Sequence, residues 1–429
     1  MSSDAPVTAR RLNSAYVVET LWLAAGVSSK LLIQIGTLYY LTTTLGRDGS
    51  GSFFAVIGLL ACLVPFVQLG NYDLTIRQIA RREDPQAVAG RAMRISFAAF
   101  FAILPLLVVL RMVLAKDISW TAFMVVATGE LLVMRITTNV QAIATGFRLH
   151  YVVAVCDFLI GASRFVAVYV ASRWNAGVDV MLTLYAFTSL PTAIATYLWM
   201  VHRIGSPQWR GGRLFDDFAE HRRMVIAWFA EMAASQGDKP LLKALSDAGQ
   251  TGIYGTATKL FGVTLIPIDL LSQVFRPRVS QAYADGESHG RRLGQVMAMA
   301  LFASGVIGGA GLFVGAWLLP WLAPQIAASE FGEARYALMY LAVIPPIYGL
   351  QRANIITAIA RGATGAYASA TTIAAAAGLA VLVAGAPRFG WQAACAAYFV
   401  YVLTSCIATW RFSGERPESQ AAPAVLQAA

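Results

Sequence analysis

Charge is scarce in this chain. Only 13% of its 429 residues are Asp, Glu, Lys or Arg, and the acidic residues number 23. Soluble domains carry about a quarter charged residues, so the composition excludes most freely dissolved enzymes. Cysteine and histidine are scarcer still, with four of each. Cys62, Cys156, Cys395 and Cys406 all lie inside apolar runs without metal-ligand spacing, which fits small buried hydrophobes rather than disulfides or ligands. His150, His202, His221 and His289 are scattered through loops or loop edges, so no histidine metal site is expected. Neither a cofactor nor a catalytic residue is expected. No loop is long enough for an independent catalytic domain, and the outer loop near 319–333 offers only Glu330 and Glu333 for acid chemistry.

What the chain has instead is apolar length. Hydrophobic residues make up 57% of it and the mean hydropathy is +0.60. A spanning helix needs roughly 20 residues. Twelve stretches qualify, over 21–44, 53–70, 92–114, 120–145, 151–172, 180–201, 224–245, 252–274, 295–318, 334–358, 366–386 and 391–410. In a bilayer each must satisfy its own backbone, so an all-α integral membrane fold of twelve helices is expected. Arg10-Arg11 could suggest an export signal, but the following apolar run is too long and lacks a small-residue cleavage site, so the first span is expected to be retained.

The net charge of +10 raises the question of nucleic acid, yet the basic residues fall mostly in short loops between spans. With the N-terminus inside, twenty Lys and Arg lie at the inner face, six (Arg47, Arg111, Lys116, Arg173, Arg335 and Arg388) lie outside, and seven fall within spans. This positive-inside bias predicts cytoplasmic termini and membrane lipids, not nucleic acid, as partners. The segment Asn71 to Asp84 looks like an amphipathic extension of the second span, its arginines touching anionic headgroups.

The chain resembles itself at an offset of 201 residues, which pairs Gly51 with Gly252, Phe53 with Tyr254, Arg77 with Arg278 and Arg91 with Arg292. At an offset of 216, Ala142-Ile143-Ala144-Thr145-Gly146 matches Ala358-Ile359-Ala360-Arg361-Gly362 at four of five positions. Two parallel six-span units are expected, 1–205 and 206–412, joined near His202 to Arg223 and followed by a disordered tail at 413–429. The ninth span holds Gly305, Gly308, Gly309, Gly311 and Gly315, a spacing suited to close helix packing.

Charges within spans are the candidate site, because an ionised group in hydrocarbon is costly. Lys30, Gln34 and Thr37 form one polar stripe, and the repeat offset places it opposite Glu231, Ser235 and Asp238, next to Lys239. Asp157 and Arg164 share a face of the fifth span, Glu130 lies on the fourth, and Arg352 with Gln351 and Asn354 on the tenth. Lys30, Gln34, Arg164, Lys239 and Arg352 would suit an anionic substrate. Glu130, Asp157, Glu231 and Asp238 would suit a coupling proton or sodium ion. The competing reading makes these residues helix-locking pairs. Lys243, Lys259 and Asp269 lie nearer span ends, where snorkelling is expected.

Leu45-Gly46-Arg47, Gly51-Ser52-Phe53 and Leu69-Gly70-Asn71 in the first half, with Gly237-Asp238-Lys239-Pro240-Leu241-Leu242, Gly252-Ile253-Tyr254 and Ala257-Thr258-Lys259-Leu260 in the second, resemble bacterial polysaccharide flippases. These belong to the multidrug/oligosaccharidyl-lipid/polysaccharide exporter superfamily. The resemblance implies two six-helix lobes in a V around a central cavity, alternating access, and location in the bacterial inner membrane. It further implies transport of an undecaprenyl-diphosphate-linked oligosaccharide for surface polysaccharide, with possible partnership with a polysaccharide polymerase. A cation-coupled multidrug exporter of the same superfamily is the alternative.

Overall fold

A computed structural model describes residues 5–80, 82–147, 149–209, 218–322, 331–361 and 363–412. Every regular element among them is helical. The first half comprises α1 (Ala5–Gln68), α2 (Asn71–Ala80), α3 (Pro85–Leu114), α4 (Trp120–Thr128), a wide turn at Gly129–Val133, α5 (Met134–Gly146), α6 (His150–Arg173), α7 (Val178–Phe187) and α8 (Ser189–Ile204). The second comprises α9 (Phe218–Ser235), α10 (Asp238–Leu245), α11 (Ala248–Asp285), α12 (Glu287–Leu322), α13 (Ala334–Leu341), α14 (Ile344–Ala360), α15 (Thr364–Phe389) and α16 (Trp391–Phe412).

Nine helices among the described residues are long and apolar enough to cross a membrane. One, Ile33–Gln68, contains the break at Gly46, where φ is +63° and only glycine turns without strain. Outside those nine, α9 and α10 are separated at Gln236-Gly237, and α13 and α14 at Ala342-Val343, ahead of Pro345-Pro346. Local sequence therefore divides several apolar stretches into shorter helices.

Two large apolar clusters form the core. One gathers Phe54, Leu60, Leu107, Phe123 and Leu131 of the first half, the other Tyr254, Phe261, Leu301, Leu341 and Leu382 of the second. Hydrocarbon solvent gives no hydrophobic drive between helices, so close backbone approach and polar bonds must hold them. A Cβ on Gly305 would collide with the carbonyl of Pro345, and one on Gly309 with that of Ala342, so α12 packs these two glycines against the α13–α14 break. Gly308 faces Thr264 of α11, whereas Gly311 and Gly315, expected to pack likewise, meet open space. Cys62, Cys156 and Cys395 are buried, Cys406 half-buried, and all four are free thiols.

The helix α2 differs from the lipid-facing extension expected of it. Asn71, Thr75, Gln78 and Ile79 are buried, and Asn71 Nδ2 donates to the Ala92 carbonyl at 3.0 Å and to Asn139 Oδ1 at 3.4 Å. Short polar side chains reach buried partners on α3 and α5, so one face of α2 is part of the interior. The side chains of Asp73, Arg77 and Arg81 lie outside the described residues.

The second segment of α1 and the start of α11 cross closely. A Cβ on Gly51 would overlap the carbonyl of Ala248, and a Cβ on Gly252 that of Arg47. Arg47 and Ala248, like Gly51 and Gly252, are separated by 201 residues, so the contact is reciprocal, as two-fold related surfaces require. Gly255 continues it, lying against the ring of Phe54, again 201 positions away.

Candidate functional site

Beyond this crossing lie two cavities to which both halves contribute. The first, about 240 Å³, has Gln34 on one side and Ser235, Gln236, Lys239, Lys259 and Tyr398 among its other walls. Gln34 thus shares a cavity with Ser235, its counterpart by the repeat offset. The side chain of Lys30 lies outside the described residues.

Lys239 reaches the wall of this cavity from the break between α9 and α10. Its ammonium donates to the Ser235 carbonyl at 2.9 Å, to Asp238 Oδ1 at 3.0 Å and to Gln236 Oε1 at 3.4 Å. Those three acceptors match an ammonium's three donors. The break leaves α9 carbonyls without helical partners, and Lys239 caps one of them. Asp238 is buried and also accepts from Tyr254 Oη at 2.6 Å. Asp238 and Lys239, assigned opposite roles from sequence, form one buried pair that stitches the break to α11.

The second cavity is larger, about 430 Å³, and is lined by Tyr72 of the first half together with Glu231, Asp269, Arg276, Arg352 and Tyr367 of the second. Arg352 occupies its polar wall. Its Nη2 donates to Glu231 Oε1 at 2.8 Å and its Nε to Tyr348 Oη at 2.7 Å, with Asp269 Oδ1 at 3.6 Å. Tyr348 donates onward to Asp269 Oδ1 at 3.0 Å, Tyr367 donates to Glu231 Oε2 at 3.4 Å, and the guanidinium carbon sits 4.8 Å from the centre of the Tyr348 ring. Two carboxylates therefore share one guanidinium.

The remaining charges pair within the first half. Arg164 bonds Glu130 and lies 4.5 Å from the centre of the Tyr185 ring. Arg135, buried, donates to the Glu130 carbonyl at 3.3 Å. Asp157 accepts from Gln141 at 3.1 Å, linking α5 to α6. None of these four charges lines either cavity.

Three residues expected to snorkel do otherwise. Lys259 lines the first cavity, and Asp269 lines the second beside Arg352. Lys243 binds Asp117 Oδ1 at 2.5 Å, across the two halves, while Ser52 donates to Asp117 Oδ2 at 2.6 Å. Burial alone would raise the Asp117 carboxyl, but the bonds and charge supplied by Lys243 and Ser52 outweigh it and hold the group below the ordinary carboxylate range. Position along a span is a poor guide where neighbouring helices supply partners. Tyr348 and Tyr367 escaped the sequence reading because tyrosine counts as apolar there, although Tyr348 and Arg352 stand one helical turn apart.

No family model and no curated protein matches the chain. Solved structures do. The lipid II flippase MurJ in its inward closed conformation aligns with a TM-score of 0.70 at 12% identity, covering 92% of this chain and 88% of that one. A MATE transporter in complex with MaL6 aligns at 0.67 and 12%, covering 92% and 94%. A transporter of the MOP superfamily from Pyrococcus furiosus, described as having a binding pocket of reversed polarity, aligns at 0.66 and 13%, again covering 92% and 94%. The chain shares the helical fold of these three membrane proteins.

Proposed function

We propose that the chain is a flippase for a diphosphate-linked glycan, carrying undecaprenyl-diphosphate oligosaccharide across the bacterial inner membrane for surface polysaccharide. In this reading twelve spans form two six-helix lobes, 1–205 and 206–412, in a V whose cavity opens alternately to each face. Both termini are cytoplasmic, and the segment at 413–429, outside the described residues, is a cytoplasmic tail. The reciprocal packing of Gly51 and Gly252 supports this arrangement, since it joins the halves near Asp48 while the two cavities that hold the candidate residues lie away from that contact.

The observation that carries the substrate class is the lining of the first cavity, where Lys259 stands among polar side chains and the Asp238-bonded Lys239 forms part of the wall. The larger cavity adds Arg276 and Arg352. Cations on the path suit a diphosphate, which Arg binds through its planar fork and Lys as a point charge. The sugars cross in the polar cavity while the polyprenyl chain stays in lipid. Lys239 acts at this site mainly by holding the helix break, whereas Arg164, which lines neither cavity, holds Glu130. A polysaccharide polymerase is a candidate partner, and a proton or sodium gradient a candidate drive.

The second reading is a cation-coupled multidrug exporter, favoured by Glu231 and Asp269 on the wall of the larger cavity. One experiment separates the two. Purified protein in liposomes is assayed for transbilayer movement of a fluorescent polyprenyl-diphosphate oligosaccharide, with and without proton and sodium gradients. Protein-dependent movement supports the flippase. Its absence, with uphill movement of an organic-cation dye, replaces that reading with the exporter.

A further inference from the structure

At the polar wall of the larger cavity two carboxylates converge on the guanidinium of Arg352, with Arg276 elsewhere in the lining. Glu231 and Asp269 stand within 2.8 and 3.6 Å of a single guanidinium. Arg352 and Asp269 keep 25% and 44% of their side-chain surface accessible, Glu231 only 14%. The guanidinium and Asp269 are therefore within reach of an entering solute, and Glu231 is largely enclosed. Tyr348 and Tyr367 donate to the carboxylates, Arg276 shares the cavity, and Tyr398 and Tyr401 of α16 lie close enough to feel the Glu231 and Arg352 charges. Among the described residues, Tyr72 is the group from the first half that lines this cavity and can ionise.

We propose that Arg352 couples anion binding to proton uptake by changing partners: the entering phosphate groups take the guanidinium, and the Glu231–Asp269 pair, left without its counter-ion, takes a proton from water. The proposal rests on the flippase reading. A phosphate offers Arg352 two parallel hydrogen bonds, which compete with Glu231 and the Tyr348 hydroxyl. Once the guanidinium turns away, two carboxylates that shared it would both remain ionised, Glu231 largely enclosed, which is unfavourable without compensation. One carboxylate oxygen of the pair gains an O–H bond, the proton coming from the bulk. When the anion leaves, the guanidinium returns and the proton is released. Anion and proton thus occupy the site together, although they never touch, because each answers to the same arginine.

The test uses the full-length protein in detergent at pH 7, with geranyl diphosphate as the anion. Binding heats are measured in two buffers of different ionisation enthalpy, whose difference gives protons taken up per anion bound. About one proton is expected for the wild type by linkage. Glu231→Gln removes one carboxylate of the pair and is expected to keep anion binding while cutting uptake to less than half. Asp269→Asn serves as the second variant should the first unfold, with the same expectation. Arg352→Gln is expected to weaken binding about tenfold or more, a loss of about 1.4 kcal/mol. Anion binding with no proton uptake in the wild type overturns the exchange and leaves the flippase reading standing. Anion binding whose uptake is unaltered in both carboxylate variants also overturns it. A folded wild type that binds no diphosphate sinks both.

Discussion

At the scale of single residues, opposite charges sit together. Glu130 is held by Arg164, Asp238 by Lys239, Asp117 by Lys243, and Glu231 with Asp269 by Arg352. Such pairs are weak evidence for stability as pairs, but breaking one is expensive because it strands a charge. Arg352→Gln should therefore lower stability by about 3 kcal/mol, the low end of the range for enclosed pairs, since its side chain keeps some contact with solvent. Adding Glu231→Gln should recover more than half of that loss, which thermal unfolding in detergent would check. A pair that mattered only for transport would show no such recovery. Tyr254→Phe removes a 2.6 Å bond to a buried carboxylate. It should destabilise by about 1.5–3 kcal/mol, the span for hydrogen bonds to charged groups, read from the same unfolding curves.

At the scale of elements, the sequence disclosed where helices run but not where they break or what they meet. Each of the twelve apolar stretches falls on a helix or a run of consecutive helices, because hydropathy is a summed property that tolerates local irregularity. The breaks at Gly46 and Gly237 and the wide turn at Gly129–Val133 each carry a glycine, which marks the place but not the kind of irregularity. Partners were harder to foresee. Asp117 lies in a short loop and Lys243 about 126 positions away, and nothing in either local sequence announces the other. Glu130, Arg164 and Arg352 stood out as intramembrane charges, while Asp269 and Lys259 were discounted by their position along the span. The Asp117–Lys243 bridge, reinforced by Ser52, acts as a latch between α10 and the loop joining α3 to α4. Because its bound carboxyl is held below its ordinary value near 3.8, the latch is fully present above that pH. It is lost only as pH falls through the lower, bound value. Spin labels placed across the latch should therefore report the same closed distance at pH 7 and pH 5. Asp117→Asn should populate longer distances at both.

At the scale of the whole molecule, the crossing of Gly51 and Gly252 defines how the halves meet. Residues 201 apart contact each other's equivalents, so the internal repeat seen in sequence is also a contact in space. Two halves joined at a reciprocal contact can rock against each other across it, which is the movement the proposed alternating access needs. Glycine is required on both sides because each backbone carbonyl occupies the place of a Cβ on the other helix, and any side chain there would hold the helices apart. Gly51→Val should consequently disfavour the arrangement seen here without disturbing either half's core, since the obstruction falls between them. Asp48 and Gly249, another pair related by the 201-residue offset, lie close enough for a stronger test: a Cβ on Gly249 would be 2.8 Å from Asp48 Oδ1. Replacing both with cysteine and oxidising should fasten the halves at this end. The native thiols Cys62, Cys156 and Cys395 are buried and contribute little background. If the halves must part here in each cycle, oxidised protein in liposomes should lose transport and regain it with reductant, while binding of geranyl diphosphate in detergent persists. Transport that continues through the cross-link would mean that the Asp48 end never opens, and that the substrate passes without separation of the two halves.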